Sequence, residues 1–137
     1  MKLRETAAAW QPQALALLRI VIGYQILCHG TAKLFGMPHV AMFDTLQAFT
    51  LIWFAGVIEV VGGGLLILGL CTRVAAFILS GEMAFAYLIG HAPKGHVLVP
   101  SLNGGDTAVT WCFVLLLLAA AGAGAWSVDA ALRRPRG

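Results

Sequence analysis

The chain has 137 residues, 60% of them hydrophobic and 11% charged, with a mean hydropathy of +0.86 and a formal net charge of +3. A soluble globular domain carries about 25% charged residues, so this composition excludes an ordinary soluble enzyme and predicts one multi-pass membrane domain over residues 1–137. The basic excess sits at the two ends and in one short turn, where it reads as membrane topology and not as nucleic-acid binding.

Taken in chain order, the first predicted helix covers about 13–35, with Pro12 at its entry and Gly36-Met37-Pro38 as its stop. Lys2 and Arg4 ahead of an apolar run resemble a signal peptide, but Arg19 interrupts the run and no small-x-small site follows, so a retained helix is expected. Its polar residues form a stripe. With Gln25 at 0°, His29 falls at about 40°, Lys33 at about 80° and Arg19 at about 120°, a pattern that lipid would not tolerate and that should face other helices.

A loop with a short amphipathic turn around Phe43, Leu46 and Phe49 leads to a second helix over about 49–70. That helix reads GVIEVVGGGLLILG from Gly56 and holds one acid, Glu59, in mid-span, with Gly56, Gly62 and Gly63 on the same side. Such a small-residue face lets a neighbouring helix approach closely. The short turn Cys71-Thr72-Arg73 predicts a hairpin with a third helix over about 74–90, which again carries a mid-span acid, Glu82. A polar loop from His91 to Gly105 follows, with His91 and His96 read as solvated. The fourth helix covers about 106–123, and Asn103 with Asp106 has the spacing of a capping box at its start.

The fold class expected is therefore all-α, an antiparallel four-helix membrane bundle. With both termini cytoplasmic, Lys2, Arg4, Arg73, Arg133, Arg134 and Arg136 lie inside and Lys33 and Lys94 outside, which obeys the positive-inside rule. At about 1.5 Å per residue, His29 lies about 10 Å and the two acids about 15 Å below the outer edge, under a rim of Lys33 and Asp106, while Arg19 is placed to snorkel at the inner end.

Two readings of these charges compete. In one, Lys33 and Arg19 neutralise Glu59 and Glu82 and clamp the helices together; for Glu82 alone a neutral, protonated carboxyl is the other expectation, because burial disfavours its charged form. In the other, an outward-facing polar pocket binds a small polar or redox-active molecule, and His29, Glu59 and Glu82 exchange protons with it. Cys28, Cys71 and Cys112 are widely spaced and imply neither a disulfide framework nor a metal site. No dinucleotide, phosphate-loop, zinc-protease or serine-elbow motif is present.

Three stretches, LLRIVIGYQILCHGTAKLFG from Leu17, GVIEVVGGGLLILGLCTRVAA from Gly56 and NGGDTAVTWCFVLLLLAAAGAGAWSVD from Asn103, resemble the DoxX family of small four-helix membrane proteins. The resemblance puts the family's polar residues on Arg19, His29, Lys33, Glu59, Asn103 and Asp106, the last one methylene shorter than the Glu common in the family. It implies a membrane subunit of a quinone- or thiol-linked redox system, since some relatives serve a thiosulfate:quinone oxidoreductase and others serve oxidative-stress complexes. More distant relatives act as chaperones or cargo receptors, which keeps a non-catalytic scaffold as the alternative.

The catalytic residues expected are His29, Glu59 and Glu82, with Arg19, Gln25, Lys33, Asn103 and Asp106 binding substrate, and Trp53 and Trp111 lining the pocket. With no haem pair or flavin fold in the chain, a diffusible quinone or partner redox subunits in the inner membrane would carry electrons. Homo-oligomers are compatible with the small-residue faces.

Overall fold

The computed structural model describes residues 2–133, with side chains from Glu5 onward. The side chains of Lys2 and Arg4, and all of Arg134 and Arg136, which enter the topology count, lie outside the described residues. Among the described residues the structure is helical with no strand: α1 is Lys2–Phe35, α2 Leu51–Leu68, α3 Thr72–Ala86, α4 Asp106–Ala121 and α5 Val128–Leu132. The stretches Glu5–Phe35, Leu51–Leu68 and Thr72–Lys94 are long and apolar enough to cross a membrane, and α4 is a shorter apolar helix.

The boundaries depart from expectation for local reasons. Pro12 does not start α1 but lies inside it, because the strong helix formers Ala7, Ala8 and Ala9 carry the helix back to Lys2. Thr50 caps α2 by accepting from the Trp53 N–H, and Gly69, at φ 67°, ends it in a left-handed turn two residues before the expected limit. The Gly69 and Leu70 N–H groups bond back to Leu66 and Leu65, closing the last turn. Beyond α3 the chain continues through a π-helical turn, Tyr87–His91, so His91 is in helical backbone and not in the loop to which it was assigned. Gly122 ends α4 at Ala121.

The helices α1 and α2 pack along their length, as do α3 and α4. The two pairs join mainly through α2 and α3, and α1 meets α4 at few points. Glycines make the first pair possible. A Cβ on Gly63 would stand 2.8 Å from the Gly23 carbonyl oxygen and 2.8 Å from the Leu27 nitrogen, and one on Gly30 would stand 2.7 Å from the Val60 nitrogen. Backbone meets backbone there, and the pairing of Gly23 with Gly63 and Gly30 with Val60 makes the helices antiparallel. Gly62 instead faces Leu79 of α3, and Gly64 faces open space. Gly63→Ala is therefore expected to wedge the pair apart at a cost of about 1–3 kcal/mol, while Gly64→Ala leaves stability unchanged or slightly raised. Thermal unfolding of both variants in detergent checks the contrast. Ile22, Ile26, Leu66, Leu79, Met83, Trp111, Leu115 and Leu118 fill the core between the pairs.

Side chains cap the helix ends at the Arg19 end of the molecule. Arg19 does not snorkel: it is fully buried, its Nη1 donating to Leu66 O (2.5 Å) and Ile67 O (2.8 Å), its Nε to Ala123 O (2.9 Å) and its Nη2 to Trp126 O (2.9 Å). A cation is thereby placed on the carbonyls that α2 leaves unpaired at its C-terminus. Arg73 does the same for α4, donating to the Ala119 and Ala120 carbonyls. Asp129 accepts from the Cys71 and Thr72 N–H groups at 2.8 and 2.9 Å, capping α3 from the far end of the chain. Partial burial pushes the Asp129 carboxyl up, but the Thr72 and Cys71 bonds, helped by Arg133, more than reverse this and hold it below its ordinary range.

Candidate functional site

At the other end, two of the predicted residues pair across α1 and α2, and a third on α3 lies within electrostatic range of them. Lys33 is presented by the last turn of α1, Glu59 by the middle of α2 and Glu82 by α3. Lys33 Nζ lies 2.7 Å from Glu59 Oε1, with the two side chains only 11% and 2% exposed. The Phe43 ring lies 5.7 Å from the same ammonium and covers it from the loop. Glu59 Oε2 and Glu82 Oε2 are both buried without a hydrogen-bond partner. Glu82 is within electrostatic range of both Glu59 and Lys33. Lys33 thus neutralises Glu59, whereas Arg19, expected to share that task, is committed to the carbonyls described above.

Next to this layer the sparse contact between α1 and α4 leaves a groove of about 550 Å³. Tyr24, Gln25, Cys28, His29 and Ala32 of α1 form one wall, Thr107 and Trp111 of α4 the other, and Pro38, Val40 and Phe43 of the following loop close the end. His29 stands edge-on to Trp111, with ring centroids 4.9 Å apart and planes at 74°. Gln25 and His29, one turn apart, add an amide and an imidazole to a lining that is otherwise mainly aromatic and apolar, with Thr107, Cys28 and the Tyr24 hydroxyl as its further polar groups. Lys33, one further turn along α1, does not line the groove, although Phe43 borders both, so the groove and the ion pair are neighbours and not a single pocket. The α1 stripe is therefore divided between them.

The remaining predicted residues lie elsewhere. Asn103 knits the turn before α4: its Nδ2 donates to the Tyr87 hydroxyl and the Gly95 carbonyl at 3.1 Å each, and its Oδ1 accepts from Gly105 N–H at 3.0 Å. This replaces the expected capping box, since the N-cap of α4 is Gly105 and no side chain caps it. Asp106 is exposed in the first turn of α4, where its charge suits the helix dipole. Trp53 packs at a tilt against Phe49 and edge-on to Phe54 and does not line the groove. Tyr24, Cys28, Thr107 and Phe43 were missed. For the α1 pair the signal was there, since Tyr24, Cys28 and Ala32 follow one helical row beside Gln25 and His29. Cys28 and Cys112 are free thiols, Cys112 lying 3.6 Å from Ser80 Oγ. Among the described residues no group of three or more His, Cys, Asp or Glu converges as metal ligands.

The DoxX family model matches residues 14–92, which hold the α1 groove wall, the Lys33–Glu59 pair and Glu82. The chain belongs to the DoxX family. A relative from Haemophilus influenzae, described as an uncharacterized protein, is 46% identical over 123 residues, covering 88% of this chain and 91% of its own length. No solved structure matches. Membership and the apolar helices make this DoxX chain a multi-pass membrane protein in a lipid bilayer.

Proposed function

We propose that this DoxX protein crosses the inner membrane four times with both termini cytoplasmic, and that it is the membrane subunit of a quinone-linked redox system. The observation that carries the reading is the groove between α1 and α4. It has aromatic walls from Tyr24, Phe43 and Trp111 for a flat ring, and His29 and Gln25 to hydrogen-bond the ring's oxygens. It lies along a loosely joined helix seam, so an apolar tail has a route into lipid. Electrons come from a partner subunit through the bound quinone, since the sequence carries no haem pair, flavin fold or paired cysteines of its own.

The test is titration of the purified protein in lipid nanodiscs with a short-tailed benzoquinone, following tryptophan fluorescence. Saturable quenching is expected, with affinity reduced about tenfold in His29→Ala, the size of one lost hydrogen bond, and with unfolding temperature little changed. Absence of saturable quenching in the parent sinks the reading. The alternative is a non-catalytic scaffold, favoured by the interhelical Lys33–Glu59 pair. It predicts instead that His29→Ala has no effect on any bound molecule, and that charge variants lose abundance and partner recovery together.

A further inference from the structure

The layer beneath the groove has an unbalanced charge count. It brings together one cation, Lys33, and two carboxylates, Glu59 and Glu82. Lys33 is already used, its Nζ held 2.7 Å from Glu59 Oε1. Each carboxyl group keeps one buried oxygen, Oε2, with no hydrogen-bond partner, and Glu59 as a whole is 1% exposed. Glu82 is half-buried, but its Oε2 is enclosed, so two ionised carboxylates sharing one ammonium would leave a net negative charge inside a helix bundle in lipid, which is strongly unfavourable unless something neutralises it. Among the described residues no other charge is placed to do so. On α1 the neighbouring titratable group is His29, which faces the groove, and on α4 the one charged residue, Asp106, is exposed at the helix start. Cys112 of α4 lies against Ser80, and the loop's Asp44 is exposed and paired with His39. A second hard cation is disfavoured by the ammonium already on Glu59.

We propose that this layer is a proton-binding site: at neutral pH it holds one proton, carried by Glu82, while Glu59 stays ionised against Lys33. A proton supplies the missing positive charge and turns one orphaned carboxyl into a hydrogen-bond donor, two requirements met by one ligand. Its position gives it a use. His29 in the groove is one turn from Lys33, so the stored proton sits one layer behind the polar groups of the groove, where a quinone accepting electrons must also accept protons. That use rests on the reading of the groove given above; the presence of the proton does not.

The experiment is infrared spectroscopy of the ligand-free full chain in lipid at neutral pH, in H₂O and D₂O. Of the six acids in the chain, Glu5, Asp44 and Asp106 are exposed and Asp129 is held ionised by its hydrogen bonds, so a protonated-carboxyl C=O band can arise only from this layer. The expected result is one such band, shifted in D₂O, lost in Glu82→Gln and retained in His29→Ala. Glu82→Gln should also unfold at the parent's temperature, because an amide closely replaces a neutral carboxyl, whereas Glu59→Gln should unfold lower. The proposal is overturned by a parent spectrum without the band, by a band that survives Glu82→Gln, or by stability of the parent that depends on sodium ion at constant pH. A protein that shows the band yet binds no quinone keeps the proton site and loses the groove reading.

Discussion

Lys33→Met is expected to destabilise the folded chain by about 3–5 kcal/mol, the usual cost of leaving one member of a buried ion pair without its partner. The asymmetry between the partners sharpens this. Glu59 is 2% exposed, deep in the glycine-lined face of α2, and has no path to water once the ammonium is gone. Lys33 is 11% exposed on a flexible stem at the last turn of α1. It can swing its charge outward when Glu59 is removed, so Glu59→Gln should cost less than Lys33→Met. The double variant Lys33→Met/Glu59→Met should recover most of the loss, since a buried pair replaced by apolar side chains is often neutral or better. Thermal unfolding in one detergent, with membrane abundance followed in parallel, measures all three. Equal losses in the two single variants, or a double variant no better than Lys33→Met, would show that the pair does not carry this energy.

That pairing was the part of the site most readable in the sequence. A lone acid in an apolar helix demands a partner, and the Gln25–His29–Lys33 stripe on the preceding helix offered a cation, although one placed nearer the outer edge than the acid. The glycines beside Glu59 announced the close approach that brings α1 within reach. The groove was only half legible. The periodicity of α1 marked Gln25 and His29, but nothing in it says that α1 and α4 barely touch, because an open seam is a property of how helices pair. Arg19 was misread for a physical reason too. Its partners are backbone carbonyls, which every residue has and no sequence pattern marks, so the sequence offered only a snorkelling position, the acids or a substrate as its partners. The same blindness hid Arg73 and Asp129, which looked like a topology signal and a tail residue until the ends of α4 and α3 came to lie beside them. Asn103 had the right spacing for a cap, yet the close approach of Tyr87 gave its side chain a different set of partners.

The second large effect is expected at Arg19. Its guanidinium spreads over two segments, the C-terminal carbonyls of α2 at Leu66 and Ile67 and the post-α4 carbonyls at Ala123 and Trp126. Removing it leaves the buried Leu66 and Ala123 carbonyls unpaired and the part-buried Ile67 and Trp126 carbonyls without their donor, and each buried unsatisfied group costs about 1–3 kcal/mol. Arg19→Gln is therefore expected to lose more than about 3 kcal/mol. Arg19→Lys should do little better, although it keeps the charge, because one ammonium cannot reproduce the fork that reaches both segments at once. Hydrogen exchange should show the loss first in the last turn of α2 and in residues 123–126, where the bonds break, before the Lys33–Glu59 layer at the opposite end responds. The quinone titration separates this role from a binding role. In whatever fraction of Arg19→Lys remains folded, saturable quenching should persist at parental affinity, because Arg19 does not line the groove. If Arg19→Lys unfolds at the parent's temperature while its quenching is abolished, Arg19 belongs to the ligand and not to the helix ends.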